Sequence, residues 1–355
     1  MNVGLDLGTS AVRAAAVQIG KGQPALRAYG QVPLPAGAMN SGEIVDSQAV
    51  AAAITRLWKQ VKLPRRDVVV GIANQRAIVR RVDLPFMPEQ ELRDALPFQA
   101  QEYIPIPIAE AILDFVPLEE YSGPGGEPMI SALVVAAQRD MIAEVVNVTD
   151  QAGLAVKAID LQAFAVVRAV FSYSINLDSG AQALVILGGG LTQVAAVRSG
   201  SVRFLRIIPV GGDQFTKVLA DRVNLDTQIA EELKRRVGVA LEGKPQRSGR
   251  IEEDATAVLT EEADALIEDI RGSLDFFASQ PDGAPVERLL LAGNAARLPN
   301  LANRLSRMLN LPIEPVRVLG QGRVDTSKLK LSHQELMLAQ PVVSIPVGLA
   351  LWDEV

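Results

Sequence analysis

The sequence predicts an α/β protein made of two related halves, and three stretches carry that expectation. The first is the opening run "NVGLDLGTSAVRAAAV", in which Val3, Leu5 and Leu7 alternate with Gly4 and Asp6 like a half-buried strand. The second, "ALVILGGGLTQVAAVRSGSVRF" at residues 183 to 204, repeats the layout of strand, glycine-rich turn, strand and tight hairpin. Gly8 and Gly188 stand about half a chain apart, as expected of two related halves. The third is residues 85 to 154, which read as helix, strand, strand and helix, a unit of its own inside the first half.

In the first copy, Gly8, Thr9 and Ser10 end the strand with small residues, hydroxyls and approachable backbone N–H groups, a turn that can hold a phosphate. A carboxylate next to phosphate makes chemical sense chiefly with a cation between them, since Mg2+ keeps its waters and takes one or two carboxylates alongside nucleotide phosphates. Asp6 is therefore the expected cation anchor, against the plainer reading of a surface Asp on an ordinary glycine turn. "AVRAAAV" is helical by propensity. We read it as a strand, because the hairpin Gly20-Lys21-Gly22 follows closely and the second copy reads more clearly as strand. A helix there would revive a dinucleotide-binding reading, but neither G-x-G-x-x-G nor a Walker P-loop occurs.

Within residues 85 to 154, a helix from Pro88 is expected to be interrupted at Pro97, whose ring does not suit a helix interior. A strand at Ala111 to Leu118, the turn-rich loop "EEYSGPGGEP", a strand at Met129 to Ala137 and a helix from Asp140 to Gln151 follow. "YIPIPI", residues 103 to 108, alternates proline with apolar residues and cannot form a regular helix. It reads as buried packing or as the wall of a partner groove; the residues alone favour packing, because exposed apolar runs are uncommon unless functional.

The second half presents Gly188-Gly189-Gly190 as its glycine turn and Ser199-Gly200 as its hairpin. Gly211-Gly212 then stands between a strand and an amphipathic helix whose N-terminus can face an anion. The next helix begins near Asp226, with Ile229, Leu233 and Val237 expected inside, and Glu231 and Lys234 on another face as a solvent salt bridge. "VERLLLAGNAARLPNLANRLSRML" reads as a buried strand, a turn at Gly293-Asn294, and a helix with Pro299 near its start and Leu301, Leu305 and Met308 inward.

Composition excludes several classes. At 355 residues, with 48% hydrophobic and 21% charged residues, the chain is globular and suggests two or three domains. No stretch approaches the roughly 18 uninterrupted apolar residues of a membrane span, and no secretion signal precedes Val3. The absence of cysteine removes disulfides, thiolate metal sites and Cys nucleophiles and fits a cytosolic protein. The single histidine, His333, argues against His-dependent catalysis and reads as a solvated residue. A net charge of −6 argues against nucleic acid as main partner.

The order of these pieces resembles the actin, Hsp70 and sugar-kinase superfamily of ATP-binding proteins, with "GLDLGTS" and "ILGGG" as phosphate motifs, "LLLAGNAARLPNL" as adenosine motif and "PVVSIPVGLAL" as closing helix. The resemblance implies an actin-like (ribonuclease H-like duplicated) two-lobed nucleotide-binding fold with a small FtsA-like αββα inserted subdomain. Residues 1–84 and 155–178 would form the first lobe, 85–154 the insert, and 179–355 the second lobe, with 224–288 as its helical nucleotide cap. It implies ATP and Mg2+ as ligands. Asp6 would bear on Mg2+ through water, and the nucleotide-binding residues would be Gly8, Thr9, Ser10, Arg13, Gly188, Gly189, Gly190, Gly211, Gly212, Glu231, Lys234, Gly293, Asn294 and Arg297.

Residues 82 to 118, "VDLPFMPEQELRDALPFQAQEYIPIPIAEAILDFVPL", closely resemble the signature of the PilM family, FtsA-like cytoplasmic proteins of type IV pilus assembly. That resemblance implies a scaffold that binds the N-terminal peptide of a PilN-like inner-membrane protein. The peptide would lie in a groove shared by the insert and the first lobe, walled by Phe98, Tyr103, Ile104, Pro105, Ile106, Pro107 and Ile108. Further implications are recruitment to the cytoplasmic face of the inner membrane through the partner, contacts with other platform components or itself, and a role in twitching motility or competence. Two positions depart from the superfamily pattern: Ile186 stands where an acidic residue usually precedes the second glycine turn, and Asn294 where a second glycine is common. Isoleucine cannot orient water or share a cation, so turnover is expected to be slow or absent. The rival classes are a sugar-type kinase, which would need a carboxylate base that the insert does not obviously offer, and an FtsA-like filament, expected to end in a basic amphipathic helix where this sequence reads "GLALWDEV".

Overall fold

The computed structural model describes residues 1–20, 23–171, 180–241, 249–281, 283–319, 324–327, 329 and 332–352. An antiparallel meander of β1 (Asn2–Leu7), β2 (Ala11–Gln18) and β3 (Ala25–Pro33) opens the chain. "AVRAAAV" is thus a strand, since β2 is paired on both sides and buried over almost its whole length. Tertiary pairing overrides the helical propensity of its alanines. Lys21 and Gly22 of the expected hairpin lie outside the described residues, as does the side chain of His333.

A short ribbon, β4 (Met39–Asn40) with β5 (Glu43–Ile44), leads to α1 (Ser47–Val61), capped by the Asp46 side chain accepting from the Ala49 N–H at 2.9 Å. The strand β6 (Val68–Ile72) adds parallel to β1 and is buried on both faces, which is why it reads as an unbroken apolar run.

The chain then enters the insert: β7 (Ala77–Pro85), α2 (Glu89–Gln99), β8 (Ala111–Ser122), β9 (Pro128–Gln138) and α3 (Arg139–Gln151). Its antiparallel sheet has the order β7-β9-β8, so this sheet begins at Ala77. The helix α2 runs through Pro97 rather than breaking there. Proline forfeits one bond, to the Arg93 carbonyl, but stands within the last turn, and the Ala100 N–H still closes on the Leu96 carbonyl at 2.8 Å. The strand β8 extends beyond Leu118 to Ser122, narrowing the expected loop to a tight turn around Gly123 and Gly126.

The two faces of the insert's sheet have different neighbours. Val82, Leu84, Ala132 and Val134 meet α2 and the "YIPIPI" segment in a core of their own. Val79, Leu133 and Ala137 on the opposite face join α3 and the first lobe.

The strand β10 (Val156–Leu161) completes the first sheet in the order β10-β6-β1-β2-β3 and is followed by α4 (Gln162–Phe171). The second lobe repeats the plan with β11 (Ala181–Leu187), β12 (Thr192–Arg198), β13 (Ser201–Ile208), β14 (Val286–Ala292) and β15 (Ile313–Pro315), ordered β13-β12-β11-β14-β15. Strand for strand, the directions match: antiparallel along the meander, parallel beyond it. The duplication read from two glycine turns is therefore structural.

Between β13 and β14 the chain forms α5 (Gly212–Val223), α6 (Thr227–Val237) and α7 (Arg250–Ala278), and α8 (Leu301–Leu309) follows the adenosine-motif turn. The closing helix α9 (His333–Ala350) is started by a capping box between Ser332 and Glu335. It packs on β1, β2, β6 and α4, returning the end of the second half to the first sheet. No helix among the described residues is long and apolar enough to cross a membrane.

Candidate functional site

The two glycine turns meet across the lobes. The Gly190 N–H donates to Thr9 Oγ1 at 3.3 Å, and a cavity of about 50 Å3 between the turns is bordered by Asp6, Gly8, Thr9, Gly188, Gly189 and Gly293. Beside it opens a cleft of about 300 Å3, bordered by Ser10, Gly212, Glu231, Lys234, Asn294 and Arg297. Residues expected at phosphate and at nucleoside thus come together, although they are spread over most of the chain.

Asp6 does not have the surroundings of a cation ligand. It is 0% exposed, and β pairing sets Arg13 directly opposite it. Arg13 Nη1 donates to Asp6 Oδ2 at 3.1 Å and Gln162 Nε2 to Oδ1 at 2.7 Å, while Gln193 Nε2 donates to Gln162 Oε1 at 2.9 Å. Burial pushes the Asp6 carboxyl above its ordinary range, and the charge and hydrogen bonds of Arg13, with the bond from Gln162, work against that. Each carboxylate oxygen is therefore engaged by a protein donor, so the residues here do not fit Mg2+ bound directly to Asp6. In the second lobe the pair corresponding to Asp6 and Arg13 is Ile186 and Gln193, both buried and neutral. Among the described residues no group of three or more acidic or histidine side chains could hold a metal ion.

Gly211 and Gly212 do not present the α5 N-terminus to an anion as expected. The Gly212 N–H donates to the Gly188 carbonyl at 3.0 Å and the Asp213 N–H to the Gly189 carbonyl at 2.8 Å, so these donors hold the second turn in place. A Cβ on Gly211 would lie 2.3 Å from the Gly189 carbonyl oxygen, a contact only glycine permits. Gly293 is as constrained, with φ +94° and an added Cβ 2.2 Å from the Leu187 carbonyl oxygen. Gly293→Ala is expected to weaken nucleotide binding by at least about tenfold, since left-handed strain and displacement of the Leu187 backbone fall together on the turn. A binding titration on the folded variant showing wild-type affinity would contradict this.

The pair Glu231 and Lys234 is not a solvent salt bridge. Lys234 is 8% exposed and its Nζ donates to the Gly212 carbonyl at 2.8 Å and Thr216 Oγ1 at 2.6 Å, with Glu231 Oε2 at 2.5 Å. Burial alone would raise the Glu231 carboxyl, but hydrogen bonds from Lys234 and Thr216 bring it below its ordinary value. The inward face of α6 is Ala230, Leu233 and Lys234, and Ile229, expected inside, is exposed. Periodicity alone cannot reveal that a lysine takes the inward position when three acceptors wait for its ammonium group.

Sequence reading missed Gln162, Gln193 and Asp213. The glutamines belong to no local motif and meet only through the fold. Asp213 directly follows Gly212 and borders the cleft; burial raises its carboxyl, Lys234 opposes that and Glu231 adds to it.

The expected partner groove is not assembled. Ile104 and Ile106 are buried in the insert's own core, while Phe98, 80% exposed, Tyr103, Pro105 and Pro107 are exposed and Ile108 is half-buried. These residues sit on the α2 side of the insert's sheet, and the first lobe packs on the other side. A larger cavity, about 600 Å3, lies instead between β7 and β13 and is floored by Phe276 of α7. Consecutive residues of each strand line it, Ala77 to Arg81 and Arg203 to Ile207, as when strand edges rather than faces form the walls. Both strands end their sheets.

Two sheets of one topology, joined through facing glycine turns and capped by α5 to α7 over a cleft, define an actin-like two-lobed protein. The family described as type IV pilus assembly protein PilM matches residues 4–353, and the chain belongs to that family. A solved structure titled PilM-PilN type IV pilus biogenesis complex superposes with a TM-score of 0.85 at 28% identity, covering 100% of this chain and 98% of that one. The ethanolamine utilization protein EutJ of Carboxydothermus hydrogenoformans (TM-score 0.56, 15% identity, 99% and 89% covered) shares the fold. So does MreB 5 of Spiroplasma citri bound to AMPPNP (TM-score 0.53, 14% identity, 88% and 90% covered). Among curated proteins, the cell division protein FtsA of Bacillus subtilis is 24% identical over 260 residues, 67% of this chain and 58% of that protein. FtsA of Pseudomonas aeruginosa is 26% identical over 263 residues, 68% and 62%. The chain spans about three fifths of the length of these curated relatives.

Proposed function

We propose that the chain is a nucleotide-binding assembly protein of the type IV pilus inner-membrane platform that binds the cytoplasmic N-terminal peptide of a PilN-like membrane protein. The observation that carries this reading is the likeness, over all of this chain, to the PilM of a solved PilM-PilN complex. Binding a membrane protein's tail would bring the chain to the cytoplasmic face of the inner membrane. The nucleotide, ATP by the family resemblance, supplies phosphates and a purine for the two lobes to close upon. Backbone and hydroxyl donors of Gly8, Thr9, Ser10 and Gly188 to Gly190 would take the phosphates, and the cleft beside Glu231, Lys234, Asn294 and Arg297 the nucleoside.

Turnover is expected to be far below the roughly 1 to 1,000 per second of metabolic enzymes. Hydrolysis needs a group to orient or deprotonate water. At the two strand-end positions where the superfamily carries an acid, Asp6 is held by Arg13 and Gln162, and the Ile186 side chain has no polar atom. Steady phosphate release at enzymatic rates by pure protein would overturn this.

The peptide's seat in this proposal is the cleft between β7 and β13, where two strand edges offer backbone partners to an extended segment. Phe276, exposed on its floor, would meet the peptide's apolar side chains. Fluorescence anisotropy with the labelled partner peptide tests it: Phe276→Asp should weaken binding at least about tenfold, as truncated interface anchors do, while Phe98→Asp leaves it unchanged. The reverse pattern would seat the peptide on the exposed α2 side of the insert, and no binding by the wild type would remove the partner reading.

A further inference from the structure

A polyphosphate entering between the two glycine turns meets a fixed positive charge. Arg13 borders the small cavity and is 7% exposed, and its guanidinium is bonded to Asp6. It also lies against the first turn itself: a Cβ on Gly8 would be 2.7 Å from Arg13 Nη1. Its Nε is buried and has no hydrogen-bond partner, so part of the donor capacity of the guanidinium is unused.

Of the other groups around this charge, Arg297 is a second cation that donates to the Leu338 carbonyl, and the rest are neutral or matched. Gln162 and Gln193 continue the chain from Asp6 without adding charge. The ammonium of Lys234 is paired with Glu231. Asp213 is the remaining carboxylate at the turns, a single acid facing the charge of Lys234. Mg2+ is ordinarily held by one or two carboxylates together with substrate phosphates; here the carboxylate at the first turn already holds a cation, and that cation is an arginine. A guanidinium is charged at every physiological pH and matches phosphate geometry.

We propose that Arg13 takes the place of the divalent cation at the first phosphate turn, so that the chain binds a nucleoside polyphosphate free of metal. This rests on the nucleotide-binding reading. It extends that reading to the ligand's ionic form and makes the nucleotide a structural ligand rather than a reaction centre.

Calorimetry tests it, with metal-stripped whole protein titrated with a non-hydrolysable ATP analogue in EDTA and again in excess Mg2+. The expected result is an affinity in EDTA equal, within about threefold, to that in Mg2+, or tighter. Binding weaker in EDTA by more than that overturns the proposal and assigns a cation to the site, with Asp213 its first candidate ligand. Absence of binding in both buffers overturns the nucleotide reading beneath it. Arg13→Gln should lose affinity in EDTA and recover part of it with Mg2+, because Asp6 is then without its guanidinium. Arg13→Lys, which keeps the charge but lacks the planar fork, should bind in EDTA more weakly than the wild type and with no gain from Mg2+ beyond about threefold; dependence of Arg13→Lys on Mg2+ would contradict the proposal even if Arg13→Gln fails to fold.

Discussion

Lys234→Met will lower nucleotide affinity by roughly 30- to 150-fold, equivalent to about 2–3 kcal/mol, the range for losing a charged hydrogen-bond donor at a buried site. The ammonium group ties α6 to the start of α5 through the Gly212 carbonyl and Thr216, and pairs with Glu231, which itself accepts from the Thr216 hydroxyl. Methionine keeps the length and apolar stem of the side chain but takes the charged donor away from three acceptors, of which the Gly212 carbonyl keeps the Thr216 hydroxyl and Glu231 keeps both Thr216 and Arg235. Glu231 retains some solvent access, so the full penalty of an orphaned buried charge, about 3–5 kcal/mol, is not reached. Glu231→Gln should cost less than tenfold, because the amide oxygen still accepts from Lys234. Calorimetry on both variants, with circular dichroism as the check on folding, decides the matter. Wild-type affinity in folded Lys234→Met would remove the α6 pair from the site.

Ile106→Asp will unfold the insert or destabilise it by more than about 4 kcal/mol, the scale reached when a core position receives an unpaired carboxylate. Ile106 packs with Leu92 and Leu96 of α2 against Ala132 and Val134 of β9. The side chains of this core are apolar, with Arg93 at its edge over the Phe115 ring. Ile106→Val, which removes one methylene, should cost only about 0.5–1.5 kcal/mol. Denaturant titration followed by far-UV dichroism reads both. A melt of Ile106→Asp like that of the wild type would mean that the segment lies on the surface after all. Any loss of partner binding by this variant would report the missing insert, not a missing contact.

Much of the fold is legible in the sequence because strand, glycine turn and hairpin are local features. The strand at Ala11 to Gln18 could be read against its own alanine-rich propensity because hairpin glycines follow it closely and the second copy reads more clearly as strand. The insert's strands and helices follow from proline, glycine and alternation. Its first strand, β7, was not separable from the lobe before it, because nothing in "AIVRRVDLP" says which sheet it will join. Proline at position 97 overstated a break, since the cost of a missing N–H depends on how much helix follows it.

By itself, the sequence determined the two-copy architecture, the glycine turns and the absence of an acid at position 186. Each depends on residue types a few positions apart, and short-range sterics and periodicity act at that range. Only the tertiary structure decided the electrostatics. Asp6 and Arg13 are opposite one another by register, and Gln162 and Gln193 reach them from α4 and β12, so that a carboxylate expected to seek a metal is already satisfied. Likewise Lys234 turned from a surface charge into a buried tie, and between the two readings of Ile106, buried packing and groove wall, the fold took the packing that the residues alone favoured. In each case the outcome is set by which partner arrives from a distant part of the chain. Charges and hydrogen-bonding groups are stabilised by neighbours in space, and burial fixes what an ionisable or apolar side chain can do.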